Sequence, residues 1–518
     1  MSWLFGFVGP QLSSENASRF QALHPAPDFS SQSSKTYFAA GGLPETCFYG
    51  WFSNQPLAGA WAVCGIGLES SEQNCRFLNA ADWRRILSTE NVVDFAGCGS
   101  SWLTFNQIGY QAFLKNVRRL GPNGFAALSP TSTRLHHKLW TPDPHDDGQD
   151  FVERLEALLN PMMSKERVIS LALSGGLDSR TLLALLISSR RANFGLHVFG
   201  VSMDPDVRLS QAIARNEKLP QDYFDNYIPN GLAGMQLLRD YASQTQFIEP
   251  ASTVLKLRYG SQLYHQKKIA IDGGFGEIAR RQFLNRLLLK GKSALHSGDP
   301  RSIYPYLRVQ RPAIFVPEVL QMMRQGAEEQ IAALWQEMSS IHEFGCENFL
   351  DLLAVRTRLA NAYGFEQSRL DGEGVSYMPF AQPSLLNGLF KTAVTTRKNG
   401  RLFRQVIRQR APQLAQYPLV KGGTTYPFYF STVPAWAWTK LKTELGKTFA
   451  DVSANEFLQK MAAEVQDLVN SASVKSYPAY DYPFIRDIVE KFYRGQTAFA
   501  AQVHWWLSFE MWRSAVKA

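Results

Sequence analysis

The sequence lacks the features that would assign it to several common protein classes. No apolar run reaches the roughly 18 residues of a membrane-spanning helix, so we expect no transmembrane segment. The N-terminal apolar stretch is short and has no basic residue before it, unlike a signal peptide. The cysteines are odd in number and show no paired metal-ligand spacing, which predicts reduced thiols and a cytoplasmic location. They are Cys47, Cys64, Cys75, Cys98 and Cys346.

The chain also lacks a concentrated basic tract, although its formal net charge is +9. Basic residues occur singly or in pairs such as Arg118-Arg119 and Arg280-Arg281, without a dense tract interleaved with aromatic residues. We therefore expect no nucleic-acid partner. The positive surplus fits either a solvated surface or a basic cleft for ATP and an acidic substrate, and the sequence leaves both open.

One segment carries most of the chemical information. An apolar, strand-like run over residues 168–173 ends in Ser174-Gly175-Gly176-Leu177-Asp178-Ser179, and a helical apolar pattern follows. A glycine turn between a strand and a helix start can hold phosphate, because backbone N–H groups approach the anion and the helix dipole favours it. The two serines add hydroxyl donors, and Asp178 is explained if it holds Mg²⁺ beside a nucleotide.

No Gly-Lys-Ser/Thr ending follows these glycines, which excludes the P-loop of kinases and GTPases. A plain strand-to-helix turn with Asp or Ser as the N-cap is the other interpretation. The six residues 174–179 resemble the pyrophosphate loop of the N-type ATP pyrophosphatases, a superfamily that includes asparagine synthetase. The resemblance implies ATP and Mg²⁺ as cofactors, with nucleotide contacts at Ser174, Gly175, Gly176, Asp178 and Ser179.

The rest of the chain from residue 150 alternates strands and helices, which predicts a parallel α/β sheet with a helical C-terminal part. The resemblance implies an adenine nucleotide alpha-hydrolase-like synthetase domain over residues 150–518. A second strand is predicted over 196–203, where Val201 and Met203 are candidate adenosine contacts, with core packing as the alternative. A third strand is predicted over 268–271.

The segment Asp272-Gly273-Gly274-Phe275-Gly276-Glu277 follows that third strand, and its glycines suit close approach to a ligand. It resembles the Asp/Glu-Gly-Ala-Asp-Glu loop of asparagine synthetases. The resemblance implies Asp272 and Gly273 near the substrate and nucleotide. The family's second metal-binding acid falls on Phe275 in a gapless match, so Glu277 is the candidate second Mg²⁺ ligand if the loop is longer here. An early helical acid is the alternative for Glu277.

Two basic residues further along match positions that meet pyrophosphate in this superfamily. They are Arg401, in Asn399-Gly400-Arg401, and Lys421, which precedes Gly422-Gly423. Mobile cations of this kind stabilise the charge of a departing pyrophosphate. The segment around Pro379-Phe380 resembles the family's acceptor-binding strand, but Val375, Tyr377 and Gln382 stand where the family has Glu, Arg and Asp. The resemblance therefore argues against free aspartate as the substrate.

The first six residues, Met-Ser-Trp-Leu-Phe-Gly, resemble the start of class II glutamine amidotransferase domains. Ser2 stands where that family has its cysteine nucleophile, and the glutamine-binding segments Arg-Gly-Pro-Asp and Asn-Gly-Glu are missing. The resemblance therefore implies a degenerate N-terminal-nucleophile (Ntn-type) αβ sandwich over residues 1–145 without glutaminase activity. The segment 142–148 is predicted to be the linker between this domain and the rest of the chain.

Together these features predict an ATP-dependent carbon–nitrogen ligase that adenylates a carboxylate and lets an amine displace AMP. The chain resembles β-lactam synthetases and lasso-peptide macrolactam cyclases, which implies a small-molecule or peptide carboxylate, an amine donor and further biosynthetic proteins as partners. An asparagine synthetase that uses ammonia, or glutamine, is the second interpretation. A catalytically inactive scaffold subunit is the third.

Overall fold

The computed structural model describes residues 92–516 except 116, 120–124, 129–132, 137–139, 147, 149, 161–167, 190–192, 226, 243–248, 257–258, 267, 339 and 365–374. Before residue 92 it describes the backbone of strands alone. The strands are β1 Ser2–Val8, β2 Asp28–Ser33, β3 Thr36–Gly42, β4 Cys47–Phe48, β5 Phe52–Ser53, β6 Trp61–Ala62, β7 Ile66–Ser70, β8 Cys75–Asn79, β9 Val117–Arg119, β10 Phe125–Leu128, β11 Thr133–His136, β12 Val168–Ala172, β13 Phe194–Phe199, β14 Gln221–Phe224, β15 Lys268–Ile271, β16 Val375–Tyr377, β17 Leu419–Lys421 and β18 Thr424–Tyr426.

The α-helices follow the same chain order. They are α1 Phe95–Leu103, α2 Phe151–Leu159, α3 Leu177–Ser189, α4 Pro205–Asn216, α5 Gly231–Ala242, α6 Tyr259–His265, α7 Asn285–Lys290, α8 Lys292–Ser297, α9 Pro300–Leu307, α10 Pro317–Glu337, α11 Ile341–Ala354, α12 Pro383–Lys391, α13 Val394–Arg397, α14 Arg401–Arg410, α15 Thr432–Glu444, α16 Ser453–Lys460, α17 Ala462–Asn470, α18 Ala472–Lys475, α19 Tyr482–Tyr493 and α20 Ala500–Val516. Helix α11 continues as a π-helix over Val355–Tyr363. Short 3-10 turns cover Ala251–Lys256, Ile278–Arg280, Pro379–Ala381, Lys398–Gly400, Pro412–Gln416 and Thr497–Phe499.

A five-stranded parallel sheet organises the second part of the chain and confirms the predicted α/β class. Its strand order is β14-β13-β12-β15-β16. The order reverses between β12 and β15, because β13 and β14 lie on one side of β12 while β15 and β16 lie on the other. In open α/β sheets, ligands bind outside the carboxyl ends of the strands at such a switch point. Leu171 pairs with Ile271, so the two glycine-rich loops leave the sheet side by side.

Strand β12 and helix α3 form where the sequence predicts them. Ile169 and Leu171 are buried, as expected of a central parallel strand covered on both faces. Helix α3 buries an apolar run from Leu182 to Leu186, and this run packs into the same core. This packing places the turn between β12 and α3 at the carboxyl end of a central strand.

The second strand is shorter than the predicted range 196–203. It ends at Phe199, since Gly200 has a φ of 131° and leaves the extended conformation. The N–H of Asp204 then donates to the carbonyl of Val201 in a turn. Asp204 caps helix α4, which has proline at its start. The strand end therefore presents Phe199 and Gly200 to the switch point.

Before the linker, the described backbone forms an antiparallel sheet of order β2-β3-β1-β8-β7-β9 and a smaller sheet of order β11-β10-β5. Ser2 lies in β1, directly opposite Gly42. The side chain of Ser2 is outside the described part of the structure. The Ntn-type sandwich and the domain boundaries stay predictions.

The helical C-terminal part has its own apolar core, built around Trp506, Phe509 and Trp512 of α20. A separate core surrounds the parallel sheet. Within the described residues, no helix is both long enough and apolar enough to cross a membrane.

Candidate functional site

A cavity of about 430 Å³ opens at the switch point of the parallel sheet. The ends of β12, β13 and β15 supply its floor, and the turn around Lys256 and the start of α6 supply another wall. The predicted residues that line it are Ser174, Asp178, Ser179, Asp272 and Gly273. The sheet topology therefore brings the two predicted loops to one site, although about 95 residues separate them in sequence.

The predicted phosphate loop, residues 174–179, is held by hydrogen bonds of its own hydroxyl groups. The hydroxyls of Ser174 and Ser179 lie 3.1 Å apart, and the N–H of Gly176 donates to the Ser174 hydroxyl over 3.2 Å. The N–H of Gly175 donates to Asp206 over 2.6 Å. The first turn of α3 follows, and N–H groups at a helix start have no partner within the helix. A phosphate at this point would meet serine hydroxyls and a helix N-terminus together.

Asp178 is held by a guanidinium group. Nε of Arg280 lies 2.6 Å from Oδ1 of Asp178, and Nη2 donates to Oδ2 over 2.7 Å. Burial raises the pKa of Asp178 to about 6, while Arg280 opposes that rise and the nearby charge of Glu277 adds to it. The carboxylate is therefore ionised at pH 7 and protonated in mild acid.

The second glycine loop packs directly against this carboxylate. A Cβ atom on Gly276 would lie 2.6 Å from Cγ of Asp178, and one on Gly273 would lie 2.8 Å from the backbone nitrogen of Ser179. Both distances are too short for any side chain. The glycines that the sequence singled out are thus needed for close approach of the two loops.

The two predicted acids of the second loop have different surroundings. Asp272 lines the cavity and accepts a hydrogen bond of 2.6 Å from the N–H of Gly274, and burial raises its pKa. Glu277 accepts hydrogen bonds from Nε of Arg358 and from the hydroxyl of Tyr363, the latter at 2.5 Å. Tyr363 rather than Glu277 lines the cavity. The role of Glu277 as a metal ligand stays a prediction.

An aromatic wall closes the side of the cavity next to β13. The rings of Phe199 and Tyr259 are stacked, with centroids 5.0 Å apart and planes 6° apart. His197 lies on the same wall, and burial lowers its pKa to about 4, so its imidazole is neutral at pH 7. The predicted adenosine contacts lie elsewhere: Val201 is outside the cavity lining, and Met203 is 57% exposed.

Lys421 lies at the end of β17, and this strand crosses the phosphate loop. The N–H of Val420 donates to the carbonyl of Gly175 over 3.0 Å, and a Cβ atom on Gly175 would lie 2.2 Å from Cγ2 of Val420. Lys421 is the next residue, it is exposed, and Gly422 and Gly423 follow it with positive φ. The structure therefore brings the predicted lysine next to the phosphate loop on a tight glycine hairpin.

Arg180 fixes the chain segment that leads into this hairpin. Its buried guanidinium donates to the carbonyls of Tyr417 and Pro418 over 2.8 and 2.7 Å. Longer contacts of 3.4 Å reach the carbonyls of Leu414 and Gly175. Burial lowers the pKa of Arg180 to about 10, which leaves it charged at pH 7. One residue of helix α3 thus couples the phosphate loop to the segment before Lys421.

Arg401 does not line the cavity at the switch point. It is exposed on helix α14 and lines a second cavity of about 630 Å³. Gly400, the residue before it, lies close to Leu177 and to Cδ of Arg280. Lys421 thus follows the strand that contacts residues 174–179, whereas Arg401 lines a different cavity. The role of each toward pyrophosphate stays a prediction.

Four residues of the site are not predicted from the sequence. Arg280 and Asp206 contact the two loops, and Lys256 and Tyr259 line the cavity. The one available clue was Asp204-Pro205-Asp206, where an N-cap pattern directly follows a strand. The partners of the loops are decided by how the elements pack.

The carboxylates of the cavity suit magnesium that arrives with a nucleotide. Mg²⁺ prefers oxygen ligands and is often held by one or two carboxylates together with substrate phosphates. Asp178 and Asp272 line the same cavity and supply such oxygens. Within the described residues, no group of three or more His, Cys, Asp or Glu side chains forms a ready metal site.

Comparisons with known proteins add little. No protein-family model matches the sequence, and no curated protein matches it. Among solved structures, this chain is similar to the U34-tRNA thiolase NcsA from Methanococcus maripaludis with its [4Fe-4S] cluster, at 10% identity and a TM-score of 0.20. The match covers 43% of this chain and 80% of that one. A likeness at that TM-score carries no argument about function, so the function of this chain rests on its own geometry.

Proposed function

We propose that this protein is an ATP-dependent ligase that adenylates a carboxylate and then forms an amide. The observation that carries the proposal is the meeting of residues 174–179 and 272–276 at one switch-point cavity. A phosphate loop, an aromatic wall and buried carboxylates share that cavity. This combination supports the binding of a nucleoside triphosphate with a second reactant beside it.

The phosphate loop would hold the nucleotide. The hydroxyls of Ser174 and Ser179 and the first turn of α3 would bind phosphate oxygens, and the adenine ring would pack against the wall of Phe199 and Tyr259. Mg²⁺, when bound with ATP at Asp178, supplies positive charge that neutralises the phosphates. Lys256 lines the same cavity and would add a cation near the nucleotide.

The reaction would proceed in two steps. An oxygen of the substrate carboxylate attacks the α-phosphorus, the bond to the β-phosphate oxygen breaks, and pyrophosphate leaves. Lys421, held next to Gly175, would stabilise the charge of the leaving pyrophosphate. The amine nitrogen then attacks the acyl carbon, and AMP leaves with the electron pair of the broken C–O bond. Asp272, whose pKa is raised by burial, would accept the proton that the amine loses.

The amine would come from ammonia or from the substrate itself, as expected without a glutaminase. The resemblance of the sequence to β-lactam synthetases and lasso-peptide cyclases favours an amine within a small-molecule or peptide substrate. An asparagine synthetase that uses ammonia or glutamine remains the alternative. The ion pair of Asp178 with Arg280 favours a third candidate, an inactive scaffold in which the acid is already neutralised.

The test is binding and turnover of ATP by the purified protein. Calorimetry with Mg-ATP is followed by a pyrophosphate release assay with aspartate plus ammonium, with aspartate plus glutamine, and with peptides that carry a free carboxylate and amine. The Asp178→Asn variant should lower pyrophosphate release on the order of 100-fold, because a buried charge beside the phosphates is lost. Asp487→Asn, an exposed acid paired with Lys491, is the control. ATP binding without pyrophosphate release from any acid would favour the scaffold.

A further inference from the structure

The second cavity has the chemistry of an anion site. We name it the arginine cavity; helix α14 lines it with Arg401, Arg404 and Arg408. The spacing of three and four residues places these side chains on one face of the helix. Tyr429 and Ser431, from the segment after the Lys421 hairpin, form the opposite wall.

Two of the three guanidinium groups are available to a ligand. Arg404 is buried and donates to the carbonyls of Phe428 and Phe430 over 2.8 and 2.7 Å, so it builds the wall. Arg401 is exposed and makes one long contact of 3.4 Å with the carbonyl of Thr395. Arg408 is exposed and lies 5.1 Å from the ring of Tyr429. Within the described residues, the lining of this cavity contains no Asp or Glu.

An apolar helix face begins at the rim of the arginine cavity. Helix α15 starts directly after Ser431, and Ala435 is its buried residue. Val433 and Trp436 are three residues apart, so they are neighbours on the helix surface, and they are 74% and 57% exposed. Large apolar side chains that cluster on a surface mark an interaction site.

We infer that the arginine cavity and the outer face of α15 together bind an acidic peptide chain. Carboxylates of the peptide would pair with Arg401 and Arg408, since guanidinium groups match carboxylate geometry. Gln405 and Gln409 line the cavity and can bond to peptide amides, while Val433 and Trp436 receive apolar side chains. The cavity volume of about 630 Å³ exceeds what a single small anion fills.

This surface is connected to the nucleotide site through the Lys421 hairpin. On the inner side of α15, Nε1 of Trp438 and Nζ of Lys442 donate to the carbonyl of Thr425 over 3.1 and 2.7 Å. Thr425 lies in β18, which pairs with the strand of Lys421. A peptide bound on α15 thus lies on a helix whose inner side contacts the hairpin that carries Lys421. The inference deepens the proposed function, on which it rests for the role of the peptide as the acyl substrate.

The experiment is an array of random dodecapeptides probed with the full-length protein. We expect the bound peptides to be enriched in Asp and Glu together with large apolar residues. Arg408→Glu and Trp436→Ser should each weaken binding of the best peptide at least tenfold in fluorescence anisotropy. Arg301→Glu and Leu289→Ser are matched controls, because both side chains are highly exposed outside this surface.

Absence of enrichment, or equal binding by Arg408→Glu and wild type, would overturn the inference. Displacement of the best peptide by equimolar pyrophosphate would also overturn it, since the cavity would then be a phosphate site. ATP binding is measured on the same preparations. Peptide binding without ATP binding would contradict the proposed function and support the peptide-binding surface. ATP binding without peptide binding would contradict the peptide-binding surface alone.

Discussion

Arg280 forms a two-point ion pair with Asp178, with 2.6 Å between Nε and Oδ1 and 2.7 Å between Nη2 and Oδ2. Both side chains are largely buried, and Gly276 and Gly400 confine the pair from two sides. A divalent cation that arrives with ATP must therefore compete with a guanidinium group for the same carboxylate. Once released, Arg280 would lie beside the phosphate loop as a further cation.

The pair predicts a pH dependence of nucleotide binding. Asp178 must be ionised to hold a cation, and its pKa is about 6, so Mg-ATP affinity should rise as the pH increases through 6. Arg280 lowers that pKa, so in Arg280→Gln the midpoint should move to higher pH. Calorimetric titrations between pH 5 and 8 measure the shift. Asp178→Asn retains the titration of the ATP phosphates and serves as the reference; an unchanged midpoint in Arg280→Gln would contradict the prediction.

Gly175 and Gly176 should tolerate alanine very differently, although they are adjacent. Gly175→Ala would place its Cβ atom 2.2 Å from Cγ2 of Val420, whereas Gly176→Ala meets the flexible side chain of Ser174 at 3.3 Å. We expect Gly175→Ala to destabilise the protein by about 1–3 kcal/mol, as overpacking does. Gly176→Ala should cost less than about 1 kcal/mol. Thermal unfolding of both variants measures this difference, and equal melting temperatures would disprove it.

Arg180 should control the order of the segment that precedes Lys421. Arg180→Met leaves the carbonyls of Tyr417 and Pro418 without their charged donor, a loss on the order of 3 kcal/mol. Hydrogen exchange of residues 412–426 should therefore become faster in this variant. Arg215→Met changes an exposed arginine of helix α4 and is the control. Unchanged protection of residues 412–426 would show that Arg180 does not hold this segment.

Lys421 should affect catalysis more than nucleotide affinity. Lys421→Met removes the cation that we propose stabilises the leaving pyrophosphate, so pyrophosphate release should fall roughly 10- to 100-fold. ATP binding measured by calorimetry should change little, because Ser174, Ser179 and the helix start remain. Lys447→Met, at an exposed position after α15, is the matched control. A parallel loss of binding and turnover would assign Lys421 to nucleotide affinity instead.

The sequence alone determined the local elements of the site. An apolar run followed by two glycines is enough to predict a strand, a turn and a helix, because each depends on neighbouring residues. Strand Lys268–Ile271 has the predicted bounds. The predicted end of the second strand at residue 203 was wrong because Gly200 adopts a positive φ and stops it at Phe199.

The tertiary structure decided which charges meet. Asp178 and Arg280 are about 100 residues apart, and no periodic pattern relates them. Only the order of the parallel strands places β15 beside β12 and brings the loop after β15 against Asp178. Local sequence is therefore enough to predict the strand, turn and helix start around residues 174–179. Their ion-pair partners follow from strand order and glycine contacts, because electrostatic pairing depends on distance in space rather than along the chain.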